Sequence, residues 1–402
     1  MKLFADGLHQ EFATWALGFA PYGAADVGEV VAIADAVEDG DDDSYYEAWT
    51  AMARRLAEEA DAAASKGRRQ SAREAYLHAS CYYAIAYHPL YGTPVDARLT
   101  AAFKEQIGAF DKAMALRDPP VERLEVPYEQ TTMPAYLIRA VGHDHETRPL
   151  LIAGTGYDAT VTETYFATAV AAAARGYHCL FHDGPGQGRL LIEQSIPIRP
   201  DWENVVTPLV DFALGLDGVD PERVAYTSWS LGGYLAPRAA SGEHRLAACI
   251  ADPGIWDFLP QVRAMVLRLG LPQEAAAALP KADEDTLRRM TQAAEGSREL
   301  RWRIIQRGFW VGAVSTMADY IRSLAEFTLE GRAEAIRCPT LLTSAERDPL
   351  GKGAEALYDR LTCPKQLLRF TAAEGAGEHC EIMNRSLLNR RVFDWLDGVL
   401  VA

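Results

Sequence analysis

Eight short apolar runs in residues 121–402 constrain the fold more than any other feature of this sequence. They are "RLEVPYE", "PAYLIRAVG", "RPLLIAGTG", "YHCLFHDGPG", "RVAYTSWS", "LAACIADPG", "PTLLTSAERD" and "KQLLRFTAAEG". Runs of about four to six apolar residues that end in Gly, Asp or Ser are typical of buried parallel strands. Helical stretches separate several runs, such as residues 162–175, which Gly176 closes. The alternation predicts an α/β fold with a mostly parallel sheet and helices on both faces.

Residues 1–120 have a different pattern, which predicts a helical N-terminal domain. Apolar residues recur at helical spacing from Trp49 to Ala63 and again from Ala72 to Ala86, until Pro89 ends the pattern. This pair resembles one tetratricopeptide unit, but a single hairpin does not predict a repeat array. The acidic stretch "VEDGDDDS", residues 37–44, predicts a solvated loop between helices. We therefore place a domain boundary near residue 120, with a second domain over residues 121–402.

Residues 255–335 interrupt the alternation, because they contain helical stretches and no convincing strand. Aromatic residues are scattered through this interval, among them Trp256, Trp302, Phe309 and Trp310. The interval follows the carboxyl end of a strand, which is where open parallel sheets bind ligands. It therefore predicts a helical cap over a ligand site; the alternative is a surface excursion unrelated to that site.

Charge and cysteine content exclude several classes of function. The formal net charge of −16 argues against a nucleic-acid-binding protein, which requires a basic surface. The opening "MKLFADGLHQEF" has no continuous apolar segment, and no run approaches the ~18–20 apolar residues of a membrane span. The six cysteines are scattered without a C-x-x-C pair, which predicts reduced thiols and no zinc site. We expect a cytoplasmic protein that acts on a small molecule, without a metal or cofactor, and that contacts neither nucleic acid nor membrane.

The segment "VAYTSWSLGGYL" has the pattern of a nucleophile elbow with one departure. In an elbow a strand turns sharply at the nucleophilic serine and enters a helix, which projects the hydroxyl over the sheet. The crowded turn requires small residues two before and two after the nucleophile. Ser228 and Gly232 meet this requirement around Ser230, whereas Tyr226 is too large for Ser228 to be the nucleophile. The pattern predicts Ser230 as nucleophile and Ser228 as a spacer, with Trp229 either packed behind the turn or lining an acyl pocket.

An acid and a histidine follow Ser230 in the order that such folds use. The run "TLLTSAERDPLG" ends in Asp348, where the acid is expected, although Glu346, still within the strand end, is a rival. His379 is the only histidine after His244, and it follows a short strand and a glycine-containing loop. A serine hydroxyl is a weak nucleophile until a base accepts its proton and a third group orients that base. We therefore predict a catalytic triad of Ser230, Asp348 and His379.

Two backbone amides are expected to stabilise the developing oxyanion. One is the N–H of Leu231, directly after the nucleophile. The second comes from the loop after the third strand, "AGTGYDAT", where we favour the N–H of Tyr157, with Gly156 as the alternative. The next loop, "HDGPGQGR", fits neither a Walker loop nor a dinucleotide fingerprint, so it predicts a structural turn near the site.

These residues, together with "GTGYD", "DGPGQG" and "EGAGEHC", resemble the α/β-hydrolase family. With the helical N-terminal region, they resemble in particular a bacterial and fungal group of Ser-Asp-His hydrolases. That group includes 2,6-dihydroxypseudooxynicotine hydrolase, the fungal yellowish-green polyketide-shortening hydrolase and the fermentation-respiration switch protein relatives. The resemblance extends over nearly the whole chain. It implies an α/β-hydrolase catalytic domain at residues 121–402 with a cap insertion at about 255–335, and it suggests a homodimer.

The resemblance also implies a reaction: hydrolysis of a carbon–carbon bond next to a ketone, or of an ester, in a polyketide-like or aryl-ketone substrate. Ser230 would attack the carbonyl, His379 would act as general base and acid, and Asp348 would orient the histidine. Two alternatives stay open. An acyltransferase or cyclase in secondary metabolism would use the same triad with another acceptor in place of water. A non-catalytic hydrolase-like binding protein is the other, and the intact triad argues against it.

Overall fold

Eight β-strands form at the eight apolar runs, in a computed structural model that describes residues 2–400. The strands are β1 (Glu122–Tyr128), β2 (Thr131–Ile138), β3 (Arg148–Gly154), β4 (His178–His182), β5 (Val219–Trp229), β6 (Ala248–Asp252), β7 (Thr340–Ala345) and β8 (Lys365–Phe370). The strands β4 and β6 are buried along their whole length, as expected of strands covered on both faces. The predicted strands are therefore confirmed.

The strands form one sheet in the order β1-β2-β4-β3-β5-β6-β7-β8. The pairs β1–β2 and β2–β4 are antiparallel, and every pair from β4 to β8 is parallel. Because β3 lies directly beside β5, the loops that follow these two strands leave the sheet side by side. The carboxyl ends of β5, β7 and β8 lie at the same edge, so residues that follow them can meet there.

The N-terminal region is helical, as predicted. Its helices are α1 (Gly7–Phe19), α2 (Val27–Asp35), α3 (Asp42–Ala64), α4 (Arg69–Ala86) and α5 (Ala97–Ala115). The apolar spacing found in the sequence forms the contact between α3 and α4. Phe110 of α5 packs edge-on against Tyr136 of β2, with ring centroids 5.1 Å apart. The N-terminal helices therefore share one apolar core with a face of the sheet.

The acidic stretch at residues 37–44 is partly helical, so the prediction of a loop is wrong for its last three residues. Asp41 is the N-cap of α3, and its side chain accepts a hydrogen bond of 3.0 Å from the amide of Ser44. Asp42 and Asp43 lie in the first turn, where the helix dipole favours negative charge. The acidic residues therefore start a helix here.

Helices of the second region begin after β3. They are α6 (Val161–Thr164), α7 (Val170–Ala173), α8 (Gly188–Ile192), α9 (Glu203–Ala213) and α10 (Gly232–Ala240). The segment between β6 and β7 is also helical: α11 (Leu259–Arg268), α12 (Gln273–Ala278), α13 (Glu284–Gly296), α14 (Arg298–Leu300), a π-helical stretch (Arg301–Gly308), α15 (Phe309–Val311) and α16 (Met317–Ala325). Its apolar residues form a small core of their own, which includes Val266, Met290 and Ile321.

Two helices complete the fold, α17 (Ala354–Arg360) and α18 (Arg385–Leu400). Residues of α18 pack on one face of the sheet, in the core shared with the N-terminal helices. Residues of α9, α10 and α17 pack on the other face. The sheet is thus covered by helices on both faces, and the predicted α/β-hydrolase architecture is confirmed.

Among the helices of residues 2–400, none combines the length and apolar character that crossing a bilayer requires. Each of the six cysteines is buried with a free thiol. Within the same residues, no cluster of three or more His, Cys, Asp or Glu side chains is arranged to hold a metal ion.

Candidate active site

Ser230 lies at the sharp turn between β5 and α10. Its φ is 62°, a left-handed conformation that non-glycine residues rarely adopt. Its amide donates a hydrogen bond of 2.7 Å to the carbonyl oxygen of Asp252, the last residue of β6. This bond ties the turn to the neighbouring strand and holds the serine in its strained conformation.

Ser228 is fully buried, and its hydroxyl points away from the turn's outer face. The Oγ atom donates a hydrogen bond of 2.9 Å to the carbonyl oxygen of Thr155, in the loop after β3. A β-carbon at position 232 would lie 2.0 Å from this Oγ, so the serine fits only opposite a glycine. Ser228 therefore fills the space under the elbow and also joins it to the loop after β3.

The structure brings Ser230, His379 and Asp348 together in one line of hydrogen bonds. The Oγ of Ser230 lies 3.0 Å from Nε2 of His379, and Nδ1 of His379 lies 2.7 Å from Oδ2 of Asp348. The other carboxylate oxygen of Asp348 accepts the amide of Leu350 at 2.9 Å. Both contacts of the imidazole are within the reach that proton transfer requires.

Glu346, the rival acid, is exposed and does not contact the histidine. Its Oε2 accepts a hydrogen bond of 2.7 Å from the amide of Ala372. The prediction that Glu346 lies within the strand end is wrong, because β7 ends one residue earlier, at Ala345. Asp348 lies three residues beyond the strand, where the turn before Pro349 directs its side chain to the histidine.

Burial and pairing shift the pKa values of the histidine and the acid in opposite directions. Burial alone would lower the pKa of His379, but the charge and hydrogen bond of Asp348 outweigh it, so the pKa is raised. Burial alone would raise the pKa of Asp348, yet the histidine and the amides of Leu350 and Cys380 hold it below its usual value. An ionised carboxylate is therefore kept beside an imidazole of increased basicity.

The loop after His379 is strained and is supported from beneath. Cys380 and Glu381 have φ values of 52° and 49°. A left-handed conformation costs non-glycine residues about 1–2 kcal/mol each. Arg385 donates from Nη1 to the carbonyl oxygen of Cys380 at 2.8 Å and to Oδ2 of Asp252 at 2.9 Å. Because the same aspartate accepts the amide of the elbow serine, one residue of β6 supports both the serine turn and the histidine loop.

The charges beneath the site are buried and balanced. Asp252 and Arg385 are 4% and 3% exposed, and Thr343 donates a hydrogen bond of 2.9 Å to Oδ1 of Asp252. Burial and the nearby charge of Asp252 raise the pKa of Glu381 well above its usual value. Removing one member of a buried ion pair leaves an uncompensated charge, which costs about 3–5 kcal/mol. This layer is therefore important for keeping the loops in place.

The helix predicted over residues 162–175 is interrupted by a π-helical turn, Tyr165–Ala169. The carbonyl oxygen of Ala167, in this turn, accepts hydrogen bonds of 3.3 Å from Nη2 of Arg385 and Nδ2 of Asn389. A π turn leaves carbonyl groups available to partners outside the helix. The interruption thus helps to hold the arginine that supports the histidine loop.

The loop after β3 lies against the elbow, at the position expected of an oxyanion hole. A β-carbon at Gly156 would lie 2.6 Å from the carbonyl oxygen of Trp229 and 2.8 Å from the amide nitrogen of Leu231. Only glycine allows this approach. Within residues 2–400, the amides of Gly156, Tyr157 and Leu231 donate no hydrogen bond to a protein acceptor. All three are therefore available to a ligand oxygen.

The predicted structural turn after β4 holds the loop after β3 in place through Gln187. Its Nε2 donates to the carbonyl oxygens of Thr155 at 2.9 Å and Gly156 at 2.8 Å. Its Oε1 accepts the amide of Gly184 at 2.8 Å. This role of Gln187 was not predicted from the sequence.

A cavity of about 1360 Å³ with mainly apolar walls opens over Ser230 and His379. It exceeds the roughly 300–1,000 Å³ of most small-molecule sites. The segment between β6 and β7 supplies much of the lining, and α1 supplies Trp15. The Trp15 ring lies 5.2 Å from the ring of Trp229 and 6.2 Å from that of His379. Trp229 is 4% exposed, so it packs behind the turn and also borders the cavity.

Several residues that build the site were missed by the sequence analysis: Trp15, Gln187, Asp252 and Arg385. Only Asp252 carried a local signal, since it ends an apolar run in "ADPG". The others reach the site from elements distant in the sequence, and no spacing marks them.

Comparisons with known proteins agree with this architecture. Residues 150–386 match the family model described as the alpha/beta hydrolase family. The chain is 32% identical over 396 residues to the protein named Hydrolase LUC6 from Fusarium sp, covering 95% of this chain and 94% of that protein. It is also 32% identical over 422 residues to 20-hydroxy-prefusarin hydrolase FUS2 from Gibberella moniliformis, covering 99% and 97%.

A solved structure of 2,6-dihydroxy-pseudo-oxynicotine hydrolase is similar over nearly the full length of both chains. The TM-score is 0.75 with 22% sequence identity, covering 96% of this chain and 95% of that one. With so low a sequence identity, the structural similarity establishes the fold alone. It includes the helical N-terminal region, so the predicted resemblance to this group is confirmed.

Proposed function

Because this chain belongs to the α/β-hydrolase family, we propose that it is a serine hydrolase that acts through an acyl-enzyme. The observation that carries the proposal is the pair of hydrogen bonds, 3.0 Å from Ser230 to His379 and 2.7 Å from His379 to Asp348. Ser230 is the nucleophile, His379 the general base and acid, and Asp348 the group that orients the imidazole.

The reaction proceeds in two halves. The Oγ of Ser230 attacks the carbonyl carbon while its proton passes to Nε2 of His379, and Asp348 stabilises the imidazolium. The tetrahedral intermediate then releases the leaving group, which takes this proton, and an acyl-serine remains. Water attacks the acyl carbon, gives a proton to the imidazole, and the serine leaves with the proton that the imidazole returns.

The amide of Leu231 and the amide of Tyr157 are the donors that hold the oxyanion, with Gly156 as the alternative to Tyr157. The available N–H groups and the close approach of the loop to the elbow support this assignment. Such donors contribute most when they are fixed before the reaction, in a site that excludes water.

The substrate we propose is a polyketide-like molecule or an aryl ketone, cleaved at a carbon–carbon bond next to a ketone or at an ester bond. The large apolar cavity supports a substrate of this size. The similarity over 99% of the chain to a protein named as a prefusarin hydrolase also supports it. A carbon leaving group must depart as an enolate, which implies a β-dicarbonyl or acyl-phenol group beside the scissile bond.

Acyl transfer or cyclisation is the second candidate, and the size of the cavity favours it. A volume of about 1360 Å³ accommodates a chain folded back on itself, so a hydroxyl of the substrate can take the place of water. Reaction in ¹⁸O-labelled water separates the two candidates. Hydrolysis puts solvent oxygen into the acid product, whereas cyclisation leaves the product unlabelled.

Labelling with a fluorophosphonate probe tests the proposed nucleophile. We expect the wild-type protein and the Ser228→Ala variant to be labelled, because Ser228 is buried under the elbow. The Ser230→Ala variant should remain unlabelled while unfolding at the same temperature as the wild type. Equal labelling of Ser230→Ala, or none of the wild type, would refute the proposal.

A further inference from the structure

Three parts of the chain meet at one point beside the proposed oxyanion hole. Tyr91 comes from the N-terminal region, Tyr157 and Asp158 from the loop after β3, and Trp302 and Arg307 from the π-helical stretch. We call these five residues the junction. The π-helical stretch contacts Tyr157 through Arg307 and through Gly308, whose carbonyl oxygen accepts a hydrogen bond of 3.5 Å from the Tyr157 hydroxyl.

Arg307 is the centre of the junction. Its Nη1 donates a hydrogen bond of 2.7 Å to Oδ2 of Asp158. Its guanidinium carbon lies 4.9 Å from the ring centroid of Tyr157 and 4.9 Å from that of Trp302. A planar cation between two aromatic faces, with a carboxylate at its edge, is an arrangement that lysine cannot reproduce. The side chain is 17% exposed, so the contacts are partly protected from water.

The remaining contacts of the junction connect it to the N-terminal region. The hydroxyl of Tyr91 donates a hydrogen bond of 2.7 Å to the carbonyl oxygen of Asp158. The indole Nε1 of Trp302 donates one of 2.7 Å to the carbonyl oxygen of His88. The rings of Tyr91 and Trp302 stack with an interplanar angle of 18°. Asp158 and Trp302, two of the residues that Arg307 contacts, are therefore each hydrogen-bonded to a residue of the N-terminal region.

Arg307 contacts the side chains of two consecutive residues, Tyr157 and Asp158, and the first of these carries the proposed oxyanion donor. Tyr157 contributes its N–H to the hole, while its ring and the next side chain are held by the arginine. A displacement of about 1 Å in a reacting geometry can cost about a hundredfold in rate. We propose that Arg307 is a positioning residue, which couples docking of the π-helical stretch to the placement of the Tyr157 amide.

A role in binding a substrate anion is the competing explanation, since Arg307 also borders the cavity. Asp158 already provides the arginine with a counter-charge at 2.7 Å, which disfavours this role. The two explanations differ in measurable ways. A positioning residue acts in the transition state and lowers kcat on a neutral substrate, whereas an anion-binding residue raises KM for charged substrates.

The test uses full-length Arg307→Met and Arg307→Lys variants with a neutral aryl acetate. We expect kcat to fall about 10- to 100-fold in Arg307→Met, with KM changed less than about twofold. Arg307→Lys keeps the charge but not the planar stack, so it should recover part of the loss. Asp158→Asn should be non-additive with Arg307→Met, because both remove the same contact.

Arg298→Met is the matched control. Arg298 also joins the segment between β6 and β7 to the N-terminal region, through hydrogen bonds of 2.9 Å to Asp6 and to Asp42, but it does not contact the loop after β3. We expect its kcat to stay within about twofold of the wild type. An equal fall of kcat in Arg298→Met would attribute the effect to general docking and overturn the proposal.

The inference rests on the proposed serine mechanism, and the two can fail separately. If the fluorophosphonate does not label the wild-type protein, the proposed function fails. If the wild type is labelled and Arg307→Met hydrolyses the ester with unchanged kcat, the positioning role alone fails. A rise in KM confined to anionic esters would also overturn it. If Arg307→Met does not fold, kcat and KM of Arg307→Lys and Asp158→Asn on the same neutral ester test the positioning role instead.

Discussion

The site has two halves that are held together in different ways. The floor consists of Ser230, Asp348 and His379 with the loops that carry them. The roof consists of α1 and the π-helical stretch Arg301–Gly308. The floor is fixed by buried hydrogen bonds, such as the 2.7 Å bond from the Ser230 amide to the strand beside it.

The two parts of the roof are joined by an ion pair that water reaches and by the aromatic contact of Phe12 in α1 with Trp302, whose ring centroids lie 4.8 Å apart. Arg303 of the π-helical stretch pairs with Glu11 of α1, and these side chains are 30% and 41% exposed. Exposed pairs contribute about 0–1 kcal/mol each, far less than a buried pair. The buried hydrogen bonds of the floor thus fix the positions of the catalytic side chains. The residues of the roof enclose the ligand. Changes in the floor should therefore lower kcat, and changes in the roof should mainly alter KM, except at Arg307, which contacts the loop after β3 and should lower kcat.

The largest expected effect in this comparison comes from the acid of the floor. Asp348→Asn should lower kcat about 10⁴-fold, because the imidazole loses its orienting charge. Glu346→Gln is the control, and we expect its kcat to stay within about twofold, because Glu346 is exposed and bonded to the Ala372 amide. Steady-state hydrolysis of an aryl ester measures both variants. The acid is misassigned if Glu346→Gln is the damaging change.

The next effect comes from the contact between the elbow and the loop after β3. Gly156→Ala should lower kcat about 10²- to 10³-fold, as the loss of one oxyanion donor does. The added β-carbon would lie 2.6 Å from the Trp229 carbonyl oxygen, which forces the loop away. Gly108→Ala is the control, because a β-carbon there meets no atom within 4 Å. Unchanged kcat in Gly156→Ala would remove this loop from the catalytic floor.

A smaller effect is expected in the roof. Trp15→Ala should raise KM up to about tenfold for a bulky aryl-ketone substrate, because an aromatic contact contributes about 0.5–1.5 kcal/mol. KM for an acetate ester should change much less, and kcat should remain close to that of the wild type. A large fall of kcat on both substrates would mean that α1 belongs functionally to the floor.

The smallest effect concerns pH. Because the pKa of His379 is raised, kcat/KM should increase with pH through a midpoint above the usual value for histidine, as the imidazole loses its proton. In Asp348→Asn, burial acts without the paired charge, so this pKa should fall. NMR titration of the imidazole carbons, assigned with His379→Gln, follows both proteins. A midpoint that does not move would mean that Asp348 does not control the histidine.

Local patterns in the sequence predict the sheet and the floor well. Each strand is marked by its own apolar run, and the elbow is specified by small residues within two positions of Ser230. Asp348 and His379 were identifiable because each follows a strand, in the order that the fold requires. The left-handed conformation of Cys380 and the raised pKa of Glu381 had no sequence signal, since they depend on Arg385 and its partner on β6.

The roof was predictable only in outline. The sequence predicts a helical N-terminal region and a helical cap, but not which of their side chains reach the cavity. Trp15 contacts Trp229, and Arg307 contacts Asp158, across long separations in sequence. Such contacts depend on how helices dock, and docking leaves no periodic pattern in one sequence. The acidic stretch before α3 shows a further limit, because the same residues suit a solvated loop or a helix start.

Detection of the covalent intermediate tests the central claim most directly. The wild-type protein, quenched with acid during reaction with a slowly hydrolysed aryl ester, is digested and mapped by mass spectrometry. The serine mechanism predicts one acyl adduct, on Ser230, that disappears as the substrate is consumed and does not form in His379→Gln. An acyl group on another residue, or turnover without any acyl adduct, would contradict the account.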